Sequence, residues 1–365
     1  MSVEGTSTGG LPAGPVLVVG AGLIGTSVAL ALTRRGVAVQ VEDIDPVNAA
    51  VAASRVTGGR DHPVAEPVLV VVATPPDHLA EAIAAALAAH PAAVVTDVGS
   101  VKVKPLSQLR SGGAGAHLAR YVGSHPMAGS ERTGPLAAAA DLFDGRTWAV
   151  TPHETSHPRA VSAVEALVST CGAVVVRLTP EEHDLAVARI SHLPHLMAAL
   201  TAGLLRDAPA AHLALSGQGV RDVTRIAAGD PELWRQIVSA NAAALHGLLS
   251  DVRRGVDGLL TALDGGDSGR VEDVLLSGAA GAAAIPGKHG GPAVDLVAVT
   301  VAIPDRPGAL AQLFNEVGAL GVNIEDVRID HDPARAYGLV EIDVAEPAGD
   351  GLAESLRERG WAAHR

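Results

Sequence analysis

His125 stands in the stretch Ser124-His125-Pro126-Met127-Ala128-Gly129-Ser130-Glu131, a polar run in a chain otherwise rich in Ala, Val and Leu. The proline after it biases the histidine toward extended backbone and away from a helix. Gly129 and Ser130 permit a tight turn. The spacing predicts one imidazole on a stiff loop, with the Glu131 carboxylate six residues on. An imidazole held this way can serve as a general base near neutral pH. An ordinary turn with an exposed histidine would have the same composition.

Other residues with chemistry lie further along. His192 and His195 are three apart, which puts them on one side of a helix. They could contact a substrate, serve as core histidines, or join His183 or Asp184 around a metal. The last reading is weakened because no HExxH is present and Pro194 interrupts the spacing. Arg221 and Arg225 are four apart on one helical face. They read either as a solvated surface or as an anion clamp, since guanidinium forks match carboxylates. Cys171 suits packing better than nucleophilic work, and no GxSxG elbow occurs.

These residues need a scaffold, and the first part of the chain describes one. Pro15-Val16-Leu17-Val18-Val19 reads as a buried strand and runs into Gly20-Ala21-Gly22-Leu23-Ile24-Gly25. A helical pattern follows to Arg34, then a strand over 37–41 that ends at Glu42-Asp43. Strand, glycine turn, helix, strand and acid together make a dinucleotide-binding signature. Gly20 allows the turn, Gly22 lets a pyrophosphate reach the backbone, and Gly25 lets helix and strand pack closely. Leu23 and Ile24 open the helix whose N-terminus attracts phosphate. An acid at Asp43, or at Glu42, can bond a ribose 2′-hydroxyl and would repel a 2′-phosphate, so NAD is expected over NADP. Further strands are expected over 67–72, 92–96, 121–122, 147–150 and 173–176. Three polar clusters follow strand ends, where open parallel sheets bind ligands. They are Thr74-Pro75-Pro76, Asp97 to Lys102, and Ser124 to Glu131. Thr74 and Asp97 thereby join the cofactor candidates.

Composition bounds the rest. The chain has 365 residues, 48% apolar and 2% aromatic, so its cores must be built mainly from Ala, Val, Leu and Ile. A net charge of −13 argues against non-specific nucleic-acid binding. The only lysines are Lys102, Lys104 and Lys288, and the first two suggest a local positive spot. A single cysteine excludes an intrachain disulfide. The N-terminus lacks a signal-peptide layout and no apolar run is long enough to span a bilayer, so a cytoplasmic protein is expected. The fold class expected is α/β, a Rossmann-type doubly wound parallel sheet with two further domains. Residues 1–14 read as a tail and 15–178 as the nucleotide domain. Residues 179–285 read as an all-helical domain opened by a Thr179–Glu182 capping box, and 286–293 as a linker. Residues 294–365 read as a βαββαβ unit.

Taken in order, these motifs resemble the prephenate/arogenate dehydrogenase family of tyrosine biosynthesis. The motifs are Gly20 to Gly25, Asp97-Val-Gly-Ser-Val-Lys102, His125-Pro-Met-Ala-Gly-Ser-Glu131, His192-Leu-Pro-His195 and Arg221-Asp-Val-Thr-Arg-Ile-Ala227. The resemblance covers residues 15–285. It implies that His125 takes the proton of a substrate ring hydroxyl and that Ser100 bonds the same hydroxyl and orients His125. It further implies His195 in the substrate pocket, Arg225 on a substrate carboxylate, and Arg221, Glu131, Asp222 and Trp234 nearby. His192 is carried with them as a substrate contact. The C-terminal unit resembles an ACT domain through Ile303-Pro-Asp-Arg-Pro-Gly-Ala-Leu310 and Gly321-Val-Asn-Ile324. That implies an amino-acid effector, tyrosine being the candidate, near Gly308, Asn323 and Ile324. The expectation is an NAD-dependent prephenate dehydrogenase, a homodimer formed through its helices. Arogenate dehydrogenase is the alternative and a non-catalytic sensor the remote one. A β-hydroxyacid dehydrogenase would need a catalytic lysine in the helical domain, and residues 179–285 contain none.

Overall fold

The computed structural model describes residues 10–11, 14–57, 66–129, 132–285, 296–330 and 337–365. They form two compact units, Met1–Arg254 and Gly255–Arg365.

The first unit opens with β1 (Val16–Val19), α1 (Leu23–Arg34), β2 (Val39–Glu42), α2 (Pro46–Thr57), β3 (Leu69–Val72), α3 (Leu79–Ala89) and β4 (Val94–Asp97). The strands pair in parallel in the order β2-β1-β3-β4. Val16 and Val18 pack with Val28, Leu32 and Leu167 in one core, and Leu17 packs with Ile83, Leu87 and Leu109 in another. Successive side chains thus enter opposite faces, both covered, which is why β1 reads as an unbroken apolar run.

Past β4 the sheet departs from expectation. After α4 (Val103–Ser111) come β5 (Gly123–Pro126), β6 (Thr147–Thr151), α5 (Pro158–Thr170) and β7 (Val174–Arg177). They form a second sheet, β5-β6-β7, in which β5 is antiparallel to β6 and β6 parallel to β7. One parallel bridge, Val95 to Tyr121, joins it to the first sheet. The winding is therefore mixed rather than wholly parallel. The expected strand at 121–122 instead begins at Gly123 and carries His125, which pairs with Ala149. β5 is an edge strand, so Pro126, which has no N–H to donate, is tolerated there. His125 thus sits on a strand and not on a loop.

Thr179 starts α6 (Pro180–Val187) with the expected capping box. Its Oγ1 accepts the N–H of Glu182 at 3.1 Å, and Glu182 Oε2 accepts the N–H of Thr179 at 2.9 Å. A π turn over Ala188–His192 leads into α7 (Leu193–Gly203). Pro194 accounts for that turn, because it lacks an N–H and its ring would strike the carbonyl one turn back. α8 (Ala210–Leu213), α9 (Gln218–Arg225) and α10 (Pro231–Ala240) follow, and α11 (Ala242–Gly265) passes from the first unit into the second. α9 packs on α7, and α4 on α6. The helices up to Arg254 cluster with the sheet into one compact unit.

The second unit holds α12 (Ser268–Ala283), β8 (Leu296–Pro304), α13 (Ala309–Ala319), β9 (Asp326–Asp330), β10 (Tyr337–Ala345), α14 (Glu346–Glu358) and β11 (Ala362–His364). Its sheet is antiparallel in the order β11-β8-β10-β9, with Val301, Leu313, Ile342 and Leu356 in the core. The expected βαββαβ succession is present, although its third element starts at Asp326 rather than at Val322. The expected linker, 286–293, lies outside the described residues. Among the described residues no helix is long and apolar enough to cross a membrane.

Removing the Thr179 cap should cost about 1 kcal/mol. Thr179→Ala is expected to lower the thermal midpoint by ~2–4 °C, and an unchanged calorimetric scan would contradict the capping role.

Candidate active site

The glycine turn has the shape a dinucleotide needs. Gly20 has φ +108°, and a Cβ there would lie 2.5 Å from Ala73 O. A Cβ on Gly25 would lie 1.9 Å from Gly20 O, so no larger residue fits the approach of α1 to the turn. Nothing lies within 4 Å of a Cβ at Gly22, which leaves that backbone open to a ligand. α1 begins without a side-chain cap, so its first N–H groups, those of Leu23 and Ile24, have no side-chain acceptor there. Asp43 Oδ2 accepts the N–H of Ala21 at 2.6 Å, placing the acid at the turn. Thr74 Oγ1, at the end of β3, is buried and has no partner among the described residues. The cradle, the acid and the unpartnered hydroxyl fit a dinucleotide. Asp97 is fully buried and accepts from Lys102 Nζ, the Tyr121 hydroxyl at 2.8 Å and the Gly99 N–H at 2.9 Å, so its carboxylate is engaged inside the protein.

Lys102 is buried as well, so the expected surface spot of positive charge is an internal ion pair with Asp97. Its ammonium also donates to Ser124 O at 2.7 Å. Its backbone N–H donates to Asp184 Oδ1 at 2.8 Å, and that of Val103 to Asp184 Oδ2 at 2.9 Å. Ser124 Oγ donates to Asp97 O at 2.7 Å. β4, β5 and α6 are thereby tied at one point.

His125 lies on this knot, half-buried. Its Nδ1 is 2.9 Å from His183 Nε2, and His183 Nδ1 is 2.8 Å from Asp184 Oδ1. Its Nε2 has no partner among the described residues. The expectation that Ser100 orients His125 is corrected, since the ring nitrogen is held by His183. Ser100 is half-buried after β4 and makes no hydrogen bond among the described residues. The sequence pattern points to His183 and Asp184 only as metal candidates. A His-Asp doublet just inside a capped helix gives little signal until its helix is packed.

His192 and His195 do share a side, for both meet Trp234. The His195 ring stacks on it with centroids 3.5 Å apart, and His192 approaches edge-on at 6.2 Å. His192 is only 1% exposed and its Nδ1 is 3.2 Å from Asn241 Nδ2, an amide that also donates to Asp184 O at 2.8 Å. It is a core histidine, which corrects its expected role as a substrate contact. Arg221, Asp222 and Arg225 are exposed on α9, with Asp222 bonded to Gln218 at 2.8 Å. Neither arginine has a partner among the described residues. No direct contact links them to His125. Glu131 lies outside the described residues.

Burial sets the electrostatics. It lowers the pKa of His125 well below the ordinary histidine value, helped by the nearby His183, Lys102 and His192. Burial likewise lowers His153, His183 and His195, and takes His192 to about 4. Unfolding frees these groups to bind protons below pH ~6.5. Stability should therefore be flat above about pH 7.5 and fall as pH drops below ~6.5. The expected slope is ~1.4 kcal/mol per pH unit for each proton taken up. Guanidinium unfolding at about pH 7.5 and about pH 5.5 checks this, and equal stabilities would contradict it.

Residues 28–177 match the family model for the prephenate dehydrogenase nucleotide-binding domain, and residues 179–276 the model for the prephenate dehydrogenase dimerization domain. The chain is 35% identical to "Probable prephenate dehydrogenase NovF" of Streptomyces niveus over 95% of its own length and 99% of that protein's. It is similar to the structure of prephenate dehydrogenase from A. aeolicus in complex with hydroxyphenyl propionate and NAD+. The two are 27% identical with TM-score 0.64 over 73% of this chain and 96% of that one. The Synechocystis arogenate dehydrogenase structure is 29% identical with TM-score 0.60, over 72% of this chain and 96% of that one. With a relative of this identity matched along nearly its whole length, and with both family models in sequence, the chain belongs to the prephenate dehydrogenase family.

Proposed function

We propose that the protein oxidises and decarboxylates prephenate to 4-hydroxyphenylpyruvate, with NAD as hydride acceptor. The observation that carries this reading is an imidazole with one nitrogen held and the other open, in a unit whose glycine turn fits a dinucleotide.

The substrate is a cyclohexadienol with a carboxylate on the ring carbon opposite its hydroxyl. His125 Nε2 takes the hydroxyl proton, and the O–H electron pair becomes a carbon–oxygen π bond as hydride leaves the same carbon. The nicotinamide of NAD, when bound, supplies the acceptor for that hydride. Loss of carbon dioxide from the opposite carbon returns an electron pair to the ring, which becomes aromatic, and His125 gives the proton back to the oxygen. Aromatisation drives the sequence, so the protein must provide a base, orientation and an anion clamp. The Ser100 hydroxyl, unpaired among the described residues, is suited to bond the reacting oxygen. His195, fixed against Trp234, walls the pocket. Arg225, with Arg221 beside it on α9, is suited to meet a substrate carboxylate, and Asp222 shares that helix. Asp43 favours NAD through the ribose hydroxyls.

Two further readings concern the rest of the chain. The βαββαβ unit is an ACT-like domain that takes an amino acid such as tyrosine near Gly308, Asn323 and Ile324. The apolar residues exposed on α11 and α12, among them Leu260 at 56% and Leu275 at 69%, serve a homodimer.

NADH absorbance with prephenate and with arogenate, each with NAD and NADP and with or without tyrosine, tests the activity. Turnover of prephenate with NAD is expected, and activity on arogenate alone would overturn the substrate. His125→Asn should lower kcat by ~10²–10⁴-fold. Because the base is already neutral at pH 7, kcat/KM should hold level as pH falls to ~6.5 and decline only below it. An acid limb centred above pH 7 would contradict the lowered pKa. Sedimentation at micromolar concentration should give a dimer, and a monomer there would refute the helical interface.

A further inference from the structure

The hydrogen bonds around His125 decide which of its nitrogens carries a proton. Asp184 accepts two backbone N–H groups, from Lys102 and Val103. With both oxygens of Asp184 already accepting, the proton between Asp184 Oδ1 and His183 Nδ1, 2.8 Å apart, is assigned to the histidine. A neutral His183 then has a bare Nε2, which must accept. Its neighbour at 2.9 Å is His125 Nδ1, which must therefore donate. The remaining nitrogen of His125, Nε2, is left bare, with no hydrogen-bond partner among the described residues. The two rings stand with centroids 5.1 Å and planes 71° apart, their facing nitrogens 2.9 Å from each other. The reverse order would need His183 doubly protonated, and burial disfavours that.

We propose that His183 and Asp184 are positioning residues, a relay that holds His125 in the tautomer with Nε2 open and steadies the imidazolium formed when Nε2 takes a proton. This rests on the proposed function for the source of the proton. The balance is simple: the substrate O–H bond breaks, the His125 Nε2–H bond forms, and the new positive charge lies two rings from the Asp184 carboxylate. The proton leaves by the same nitrogen when the aromatic product's oxygen recovers it. Asn241 and Lys102 keep the relay in place, one on the backbone carbonyl of Asp184 and the other through its own N–H on the Asp184 carboxylate.

Nitrogen-15 NMR of the imidazoles in the free wild-type enzyme reads the tautomer without substrate. The expected result is His125 protonated at Nδ1 and bare at Nε2, and the opposite assignment at neutral pH overturns the relay. His183→Leu should mix the His125 tautomers and lower kcat by ~10²-fold or more, with KM for prephenate and NAD within about threefold. His183→Gln, whose side-chain oxygen can still accept from Nδ1–H, should recover part of that loss. Wild-type kcat in His183→Leu would also overturn the relay. Inactivity of the wild-type enzyme toward prephenate would instead refute the proposed function, leaving the relay to the nitrogen spectrum.

Discussion

A lysine ammonium cannot rest in an apolar interior without partners, and that constraint shapes the centre of this molecule. Lys102 is 1% exposed and pairs with Asp97 at the end of β4. Its ammonium also holds Ser124 O, the residue before His125, while its backbone N–H holds Asp184, the residue after His183. One buried cation therefore sets where β5 lies against β4 and where α6 meets both. Breaking a pair of this kind by removing one partner costs ~3–5 kcal/mol, because the other charge stays buried. The histidines take their places from this pairing.

The same cation has a second consequence. Positive charge close to His125 disfavours its protonation, as burial does. The imidazole is thus kept neutral by its surroundings, with one nitrogen held by a hydrogen bond. The Asp184 carboxylate lies two groups away, close enough to steady a charge that arrives and too far to hold one there permanently. Placing His125 in a strand rather than on a loop adds rigidity, since both flanks are fixed by pairing with β6.

Charge is divided between the core and the surface of the first unit. The core carries neutral imidazoles, while the arginines stand exposed on α9. In a protein of net charge −13, guanidinium groups exposed on α9 without a partner among the described residues make a local positive spot. α7 connects the two regions: it carries His195, packs on α9, and leaves α6 through a π turn at Pro194.

The sequence by itself determined the local features. The glycine turn and Asp43, the βαβ order, the Thr179 capping box and the βαββαβ succession all depend on nearest neighbours, on helix caps and on the two hydrophobic periods. His125 was legible as a candidate base from the polar run it stands in, Ser124 to Glu131, after an expected strand, and not from its proline, which also follows His62, His90 and His157. Tertiary structure alone decided what bonds that histidine. His183 and Asp184 lie nearly 60 residues away and meet it only once α6 docks on β5. The same applies to Lys102, read as surface charge, and to Asp97 and His192, read as ligand contacts, all three of which proved to be buried and paired. The direction of β5 also waited on its partner, because a four-residue strand carries no record of whether its neighbour runs parallel or antiparallel. Spacing records which residues can share a face, whereas hydrogen-bond partners distant in sequence depend on how the elements pack.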